Sequence, residues 1–157
     1  GNGTFDAPVT YPVGVYPHSV RAGDLNGDGD DDLVTANDTT NDVTVLISNG
    51  DGTFEPEVAY TTVNTAKSVA LADVNSDGDL DVVTANINGN YPDRINPDGA
   101  DISIFYGNGD GTLQAPVTLF SAGTPFAVTT ADLNADGKRD ILAANWWGGT
   151  LTVHLQS

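Results

Sequence analysis

The 157 residues carry 22 acidic side chains against 5 basic ones, a formal charge of −17. Nucleic acid and anionic membrane surfaces are thereby expected to be poor partners, since phosphate binding needs a basic face. The absence of Cys excludes a disulfide framework, a zinc–thiolate site and a Cys nucleophile. No apolar run reaches the roughly 18 residues a spanning helix needs, so membrane insertion is not expected. The acid is 20 Asp against 2 Glu, with 18 Gly and 8 Pro, a composition of turns and metal loops, not helices. With 39% hydrophobic residues the chain can still build a core. The lack of Met, even at position 1, is expected of a processed or excised product.

Short β-type segments recur along the whole chain. In order they are 9–11, a small-residue segment around Ala22, 42–49, 58–60, 68–72, 80–85, 101–106, 117–119, a second small segment at 127–131, and 150–157. Alternation and β-branching favour strand over helix, and each segment is too short for a stable helix. Two markers set the period. Gly3-Thr4-Phe5 returns as Gly52-Thr53-Phe54 and Gly111-Thr112-Leu113. Asp24-Leu25-Asn26-Gly27-Asp28-Gly29 returns as Asp73-Val74-Asn75-Ser76-Asp77-Gly78 and Asp132-Leu133-Asn134-Ala135-Asp136-Gly137. Both step by 49 and then 59 residues, and the extra ten fall in a loop at 87–100 rich in Asn, Pro, Asp and Gly.

Each period holds four such segments, here A to D in order. Ala22, Ala70 with Ala72, and Ala127 with Ala131 keep A small, as a crowded innermost position requires. A repeat of this length with four strands predicts an all-β fold of β-propeller blades, against a β-solenoid or an open stack of sheets. The chain reads as a single repeat domain, with repeats 1–49, 50–108 and 109–157. The final repeat lacks a D segment and residues 9–11 supply a spare one. Unpaired edges invite pairing, and three blades are fewer than the four to eight of closed rings. The expectation is a head-to-tail homodimer closing a six-bladed ring, each N-terminal strand completing the partner's last blade. A fragment of a longer repeat protein fits the same arithmetic.

Twelve of the 20 Asp lie in three segments of pattern D-x-N-x-D-G-x-x-D. Alternate positions present hard oxygens to one centre, Gly at the sixth allows a sharp turn, and the seventh offers its carbonyl, which is calcium-loop logic. Three Ca2+ per chain are expected. The first site takes Asp24, Asn26, Asp28 and Asp32 with the Asp30 carbonyl; the second Asp73, Asn75, Asp77 and Asp81 with the Asp79 carbonyl. The third takes Asp132, Asn134, Asp136 and Asp140 with the Lys138 carbonyl. Lys138 and Arg139 lower its negative charge, so it is expected to bind most weakly. An EF-hand is excluded, because position twelve is Thr35, Thr84 or Ala143 and never Glu.

These loops, with Asn49-Gly50-Asp51-Gly52-Thr53-Phe54 and Asn108-Gly109-Asp110-Gly111-Thr112-Leu113, resemble FG-GAP/VCBS-type repeats. The resemblance covers the whole chain. It implies a calcium-binding propeller of the kind found in integrin α subunits, and secretion or display at the cell surface. It also implies a role in adhesion, in lectin-like recognition of carbohydrate or protein ligands, or as an ancillary part of a polysaccharide-processing protein.

Little in the chain points to catalysis, so no enzyme activity is expected. His18 and His154 are the only two histidines, the residue type most used for proton transfer near neutral pH. His18 lies at a variable place before segment A and His154 on a C segment, and neither accompanies a nucleophile motif. Asp93, Arg94 and Asp98 read as a solvated loop. Trp146 and Trp147 stand at the B–C turn of the third repeat, where strand neighbours face opposite sides. One of them, or Tyr91, could stack on a sugar ring; covering the sheet is the competing role. A polysaccharide-degrading activity and a ligand-free structural or engineered scaffold are the alternatives to recognition.

Overall fold

The computed structural model describes residues 2–87, 101–146 and 149–157. Among them are eleven strands and no helix. The first sheet contains β1 (Pro17–Gly23), β2 (Asp32–Asn37), β3 (Asp42–Leu46) and β4 (Val58–Thr61). The second contains β5 (Thr65–Ala72), β6 (Asp81–Ile87), β7 (Asp101–Phe105) and β8 (Val117–Phe120). The third has three strands, β9 (Pro125–Ala131), β10 (Asp140–Asn145) and β11 (Thr150–His154). Every sheet is an antiparallel meander in chain order, the construction of a propeller blade. Residues 9–11, expected to form a strand, are paired in none of the three sheets.

The core lies between blades. One cluster joins Val34, Val43 and Val45 of the first blade to Val69, Val82 and Phe105 of the second. The other joins Ala70, Val83, Ile102 and Ile104 of the second blade to Val128, Ile141 and Ala143 of the third. Val82 and Val83 are sequence neighbours facing opposite blades, which is the two-residue period of a strand used on both sides. Hence β6 is buried along its whole length, while β1, with a blade on one side, is largely exposed. Each fully buried Val or Ile contributes roughly 1.5–3 kcal/mol of transfer free energy.

One Asn per blade ties the B strand to the C strand from inside. Asn37 donates to Asp42 Oδ1 at 2.6 Å and to Thr44 Oγ1 at 2.9 Å while accepting from Thr35. Asn86 accepts from Thr84 and donates to Ser103 at 2.7 Å. Asn145 donates to Thr150 and Thr152 and accepts from Ser121. A buried amide is tolerated because both of its ends are used.

Candidate functional site

The three acidic loops occupy the turns β1–β2, β5–β6 and β9–β10, at the same end of each blade. Their internal bonding is repeated almost atom for atom. In the first, Asp24 accepts the N–H of Gly27 at 2.7 Å and of Gly29 at 2.9 Å, Asn26 that of Asp28, and Asp28 that of Asp30. In the second, Asp73 accepts from Ser76 and Gly78, Asn75 from Asp77, and Asp77 from Asp79. In the third, Asp132 accepts from Gly137, Asn134 from Asp136, and Asp136 from Lys138.

The ninth position does something the motif does not announce. Asp32, Asp81 and Asp140 are fully buried. Asp32 accepts Leu25 N–H at 2.9 Å and Ser48 N–H at 2.8 Å. Asp81 accepts Val74 and Gly107, and Asp140 accepts Leu133 and Gln156. Each carboxylate therefore ties its loop to the far end of the C strand. Burial pushes the Asp81 carboxyl above the ordinary range, against the lowering effect of those two N–H bonds; the Asp77 and Asp73 charges push it the same way. Asp28, Asp77 and Asp136 are held below that range, chiefly by the backbone N–H bonds of Asp30, Asp79 and Lys138.

The donor set is the hard-oxygen chemistry that suits a calcium ion, and a carboxylate oxygen that accepts one N–H keeps a second lone pair. As placed, however, the side chains turn onto their own loop amides. Among the described residues no three acidic or His side chains gather into a metal-holding group.

Asp30 and Asp79, at the seventh position, lean on the C–D turn of the same blade. A Cβ on Gly50 would lie 2.5 Å from Asp30 Oδ2, and one on Gly109 2.6 Å from Asp79 Oδ1; both glycines have positive φ, +75° and +71°. Gly109→Ala is expected to cost about 1–2 kcal/mol through the left-handed backbone alone. Chemical denaturation, read as a lower midpoint at unchanged slope, checks this.

At the opposite end of the blades, sequence-distant charges meet. Lys67 of β5 donates to Asp38, just beyond β2, and His18 Nε2 lies 3.0 Å from the same Asp38 oxygen. Burial raises the Asp38 carboxyl, but the hydrogen bonds and charges of Lys67 and His18 outweigh it, so Asp38 is held below the ordinary range. The Lys67 side chain is only 10% exposed. Asp38→Ala, which strands that ammonium, is expected to destabilise by about 1–3 kcal/mol at pH 7. A carboxyl with a depressed pKa stabilises above its unfolded pKa and loses the contribution as pH falls through the folded value. The gap between variant and parent therefore closes as pH falls below about 3.8, measured as melting temperature against pH.

Two repeats further on, the counterparts of His18 and Asp38 are Phe126 and Trp146. These rings meet edge to face at 5.1 Å and 79°, and Trp146 is 58% exposed. The same station thus carries a polar His–Asp pair on the first blade and an outward aromatic pair on the third. Trp147, Tyr91, Asp93, Arg94 and Asp98 lie outside the described residues. His154 is half-buried on β11, and its Nε2 has no hydrogen-bond partner among the described residues. Along the inner strands a cavity of about 590 Å3 is lined by Arg21, Leu71, Asp73, Thr129 and Arg139.

The pattern that defines FG-GAP-like repeats matches residues 24–84 and 88–143. The chain belongs to the FG-GAP-like repeat family. The first stretch opens on the β1–β2 loop and the second directly after β6, and each ends in the B strand of the following repeat, so both contain an interblade step. These FG-GAP-like blades are similar in fold to an Agrocybe aegerita lectin solved for its specific recognition of non-reducing terminal N-acetylglucosamine. The TM-score is 0.54 at 22% identity, over 90% of this chain and 39% of that one. The chain therefore spans about two-fifths of that lectin's length. A second solved structure, BBS1N in complex with ARL6DN, aligns with a TM-score of 0.39 at 15% identity, over 98% of this chain and 61% of that one. No curated protein sequence matches.

Proposed function

We propose that these repeats form a secreted or cell-surface recognition module that binds carbohydrate without transforming it, with calcium holding the A–B loops. The observation that carries the reading is the blade arrangement, shared with a sugar-binding lectin over 90% of the chain. The outward Phe126–Trp146 pair adds an aromatic face of the kind that stacks on a sugar ring. Calcium would be held by the side chains of Asp24, Asn26, Asp28 and Asp32, of Asp73, Asn75, Asp77 and Asp81, and of Asp132, Asn134, Asp136 and Asp140. The carbonyls of Asp30, Asp79 and Lys138 would join them. When bound, the ion supplies positive charge that offsets repulsion among crowded carboxylates.

A glycan array probed with the whole chain in calcium tests the reading. Terminal N-acetylglucosamine glycans belong on it, and so do acidic glycans, because Arg21 and Arg139 line the inner cavity. Saturable binding to a glycan class, at least tenfold weaker for Trp146→Ala at unchanged circular dichroism, is the expected result. No binding to any glycan sinks the carbohydrate assignment. Release of sugar products during the incubation sinks the assignment of binding without catalysis.

A further inference from the structure

Between the first and second blades, the segment Gly111-Thr112-Leu113 is inserted as a plug. Gly111 N–H donates to Leu25 O at 3.0 Å, and Leu113 N–H to Tyr60 Oη at 3.2 Å. A Cβ on Gly111 would meet Ile47 and Asn26, and Leu113 is buried in the interblade cluster with Leu25, Val45, Phe105 and Tyr60. One repeat along, the counterparts of Leu25, Asn26, Val45, Ile47 and Tyr60 are Val74, Asn75, Ile104, Tyr106 and Leu119. All five line a cavity of about 450 Å3 between the second and third blades. His154 also lines it, and its Nε2 is the buried atom without a hydrogen-bond partner among the described residues.

The plug that fits this cavity is present in the chain, but elsewhere. Gly3-Thr4-Phe5 is the third copy of the motif, and it is already shaped. Thr4 N–H and Oγ1 bond Asn2 Oδ1 at 3.1 and 2.6 Å, as Thr53 bonds Asp51 and Thr112 bonds Asp110. Gly3 has φ +78°, beside +86° for Gly52 and +83° for Gly111. Yet Phe5 is 99% exposed, where Leu113 is 8%. The same chain holds this segment at the wrong end to use it. Tyr11 meets Phe54 edge to face at 5.0 Å and donates to Gly52 O at 3.1 Å, on the first blade, where β4 of a preceding blade would lie.

The edge beside the cavity is open in the same sense. Val43 pairs with Tyr60, and Ile102 with Leu119. Their counterpart Leu151 pairs with Ala144 on one side and, among the described residues, with no strand on the other, and is 60% exposed where the other two are fully buried.

We propose that residues 2–13 of a second copy of this chain complete the third blade, with Phe5 filling the cavity and Val9–Tyr11 pairing with β11. The repeat fixes the register: Leu151 opposite Tyr11, Thr152 opposite Thr10, Val153 opposite Val9. Pro12 then opposes Thr150, the counterpart of Asp42 opposite Thr61. There the ladder bond runs from Thr62 N–H to Asn41 O and brackets the pair, so that residue 61's own N–H points away and proline loses nothing. The exchange is reciprocal. Two three-bladed copies make six blades, within the range of closed propellers, and a two-fold assembly is self-limiting.

Light scattering on the purified chain tests this. The expected mass is about 32 kDa, twice the 16.2 kDa chain, moving to the single-chain mass for Phe5→Asp with unchanged circular dichroism. A second test does not depend on that variant's folding. Thr10→Cys with Thr152→Cys puts the only two thiols of the chain at a non-hydrogen-bonded pair, where Cα atoms lie about 4.5 Å apart and a disulfide closes without strain. Air oxidation is expected to give a reducible dimer on denaturing gels. A parent that runs at the single-chain mass, or a double variant that stays monomeric or closes on itself, overturns the proposal.

Discussion

Phe105→Ala is expected to cost about 3–5 kcal/mol, the range for truncating a fully buried Phe, and to lower the melting temperature by roughly 10 °C in a chain of this size. Phe105 is 1% exposed and lies in the cluster that joins the first two blades, edge-on to Tyr60 at 6.4 Å. Removing it empties space on both sides of an interblade contact, and Tyr60 cannot follow because its hydroxyl accepts Leu113 N–H. The cavity therefore stays open, which sets the cost at the upper end of the range. The same place on the third blade belongs to His154, half-buried at the cavity between the second and third blades. His154→Ala is thus the matched control, expected to cost less than a third as much. Differential scanning calorimetry of both variants checks the pair, and equal losses contradict the assignment of the core to the first interblade contact.

The blade plan was readable because it rests on periodic features. Val82 and Val83 both had to be buried, and only a strand packed on two sides does that; small residues at Ala22, Ala70 and Ala127 marked the inner strand. The three acidic loops were legible as a repeated string. Asp32, Asp81 and Asp140 were not legible as what they are. A sequence presents them as the loop's ninth-position oxygen donor and gives no sign that each is also a buried carboxylate bonded to two backbone amides, one of them 16 or 26 residues away. The Asn37, Asn86 and Asn145 networks were missed for a related reason, since a polar residue in an alternating strand reads as outward-facing. Their signal was present in the recurrence of Thr-Ala-Asn at 35–37 and 84–86. The His18–Asp38–Lys67 contact joins two blades and has no local signature. The three-stranded third sheet was legible by counting, but the preformed turn at Asn2–Phe5 needed coordinates, because only its bonding distinguishes a shaped plug from a loose end.

Calcium removal is expected to have the other large effect. Extracellular calcium modules bind at about 0.1–1 mM, and an ion at roughly ten times its dissociation constant stabilises by about 1.4 kcal/mol per site. Three such sites would together contribute about 4 kcal/mol, or roughly 10 °C of melting temperature, between excess chelator and about 10 mM calcium. The direction follows from the loops themselves. Burial and the charges of Asp77 and Asp73 raise the pKa of Asp81, so in the metal-free state its ionised form opposes folding as pH rises above the ordinary carboxylate range. A divalent ion bound there would reverse that contribution, because it takes the ionised side chains and a binding site rarely exists in the unfolded chain. Asp77→Ala, an exposed position at the second loop, is expected to remove about a third of the calcium increment while leaving the melting temperature in chelator within a degree or two. Magnesium at equal concentration is expected to raise the melting temperature less, since it keeps its waters and binds through fewer protein oxygens. An unchanged melting temperature on chelation would mean that the loop carboxylates are held by their own backbone N–H bonds alone, and the three acidic turns would then be structural without an ion.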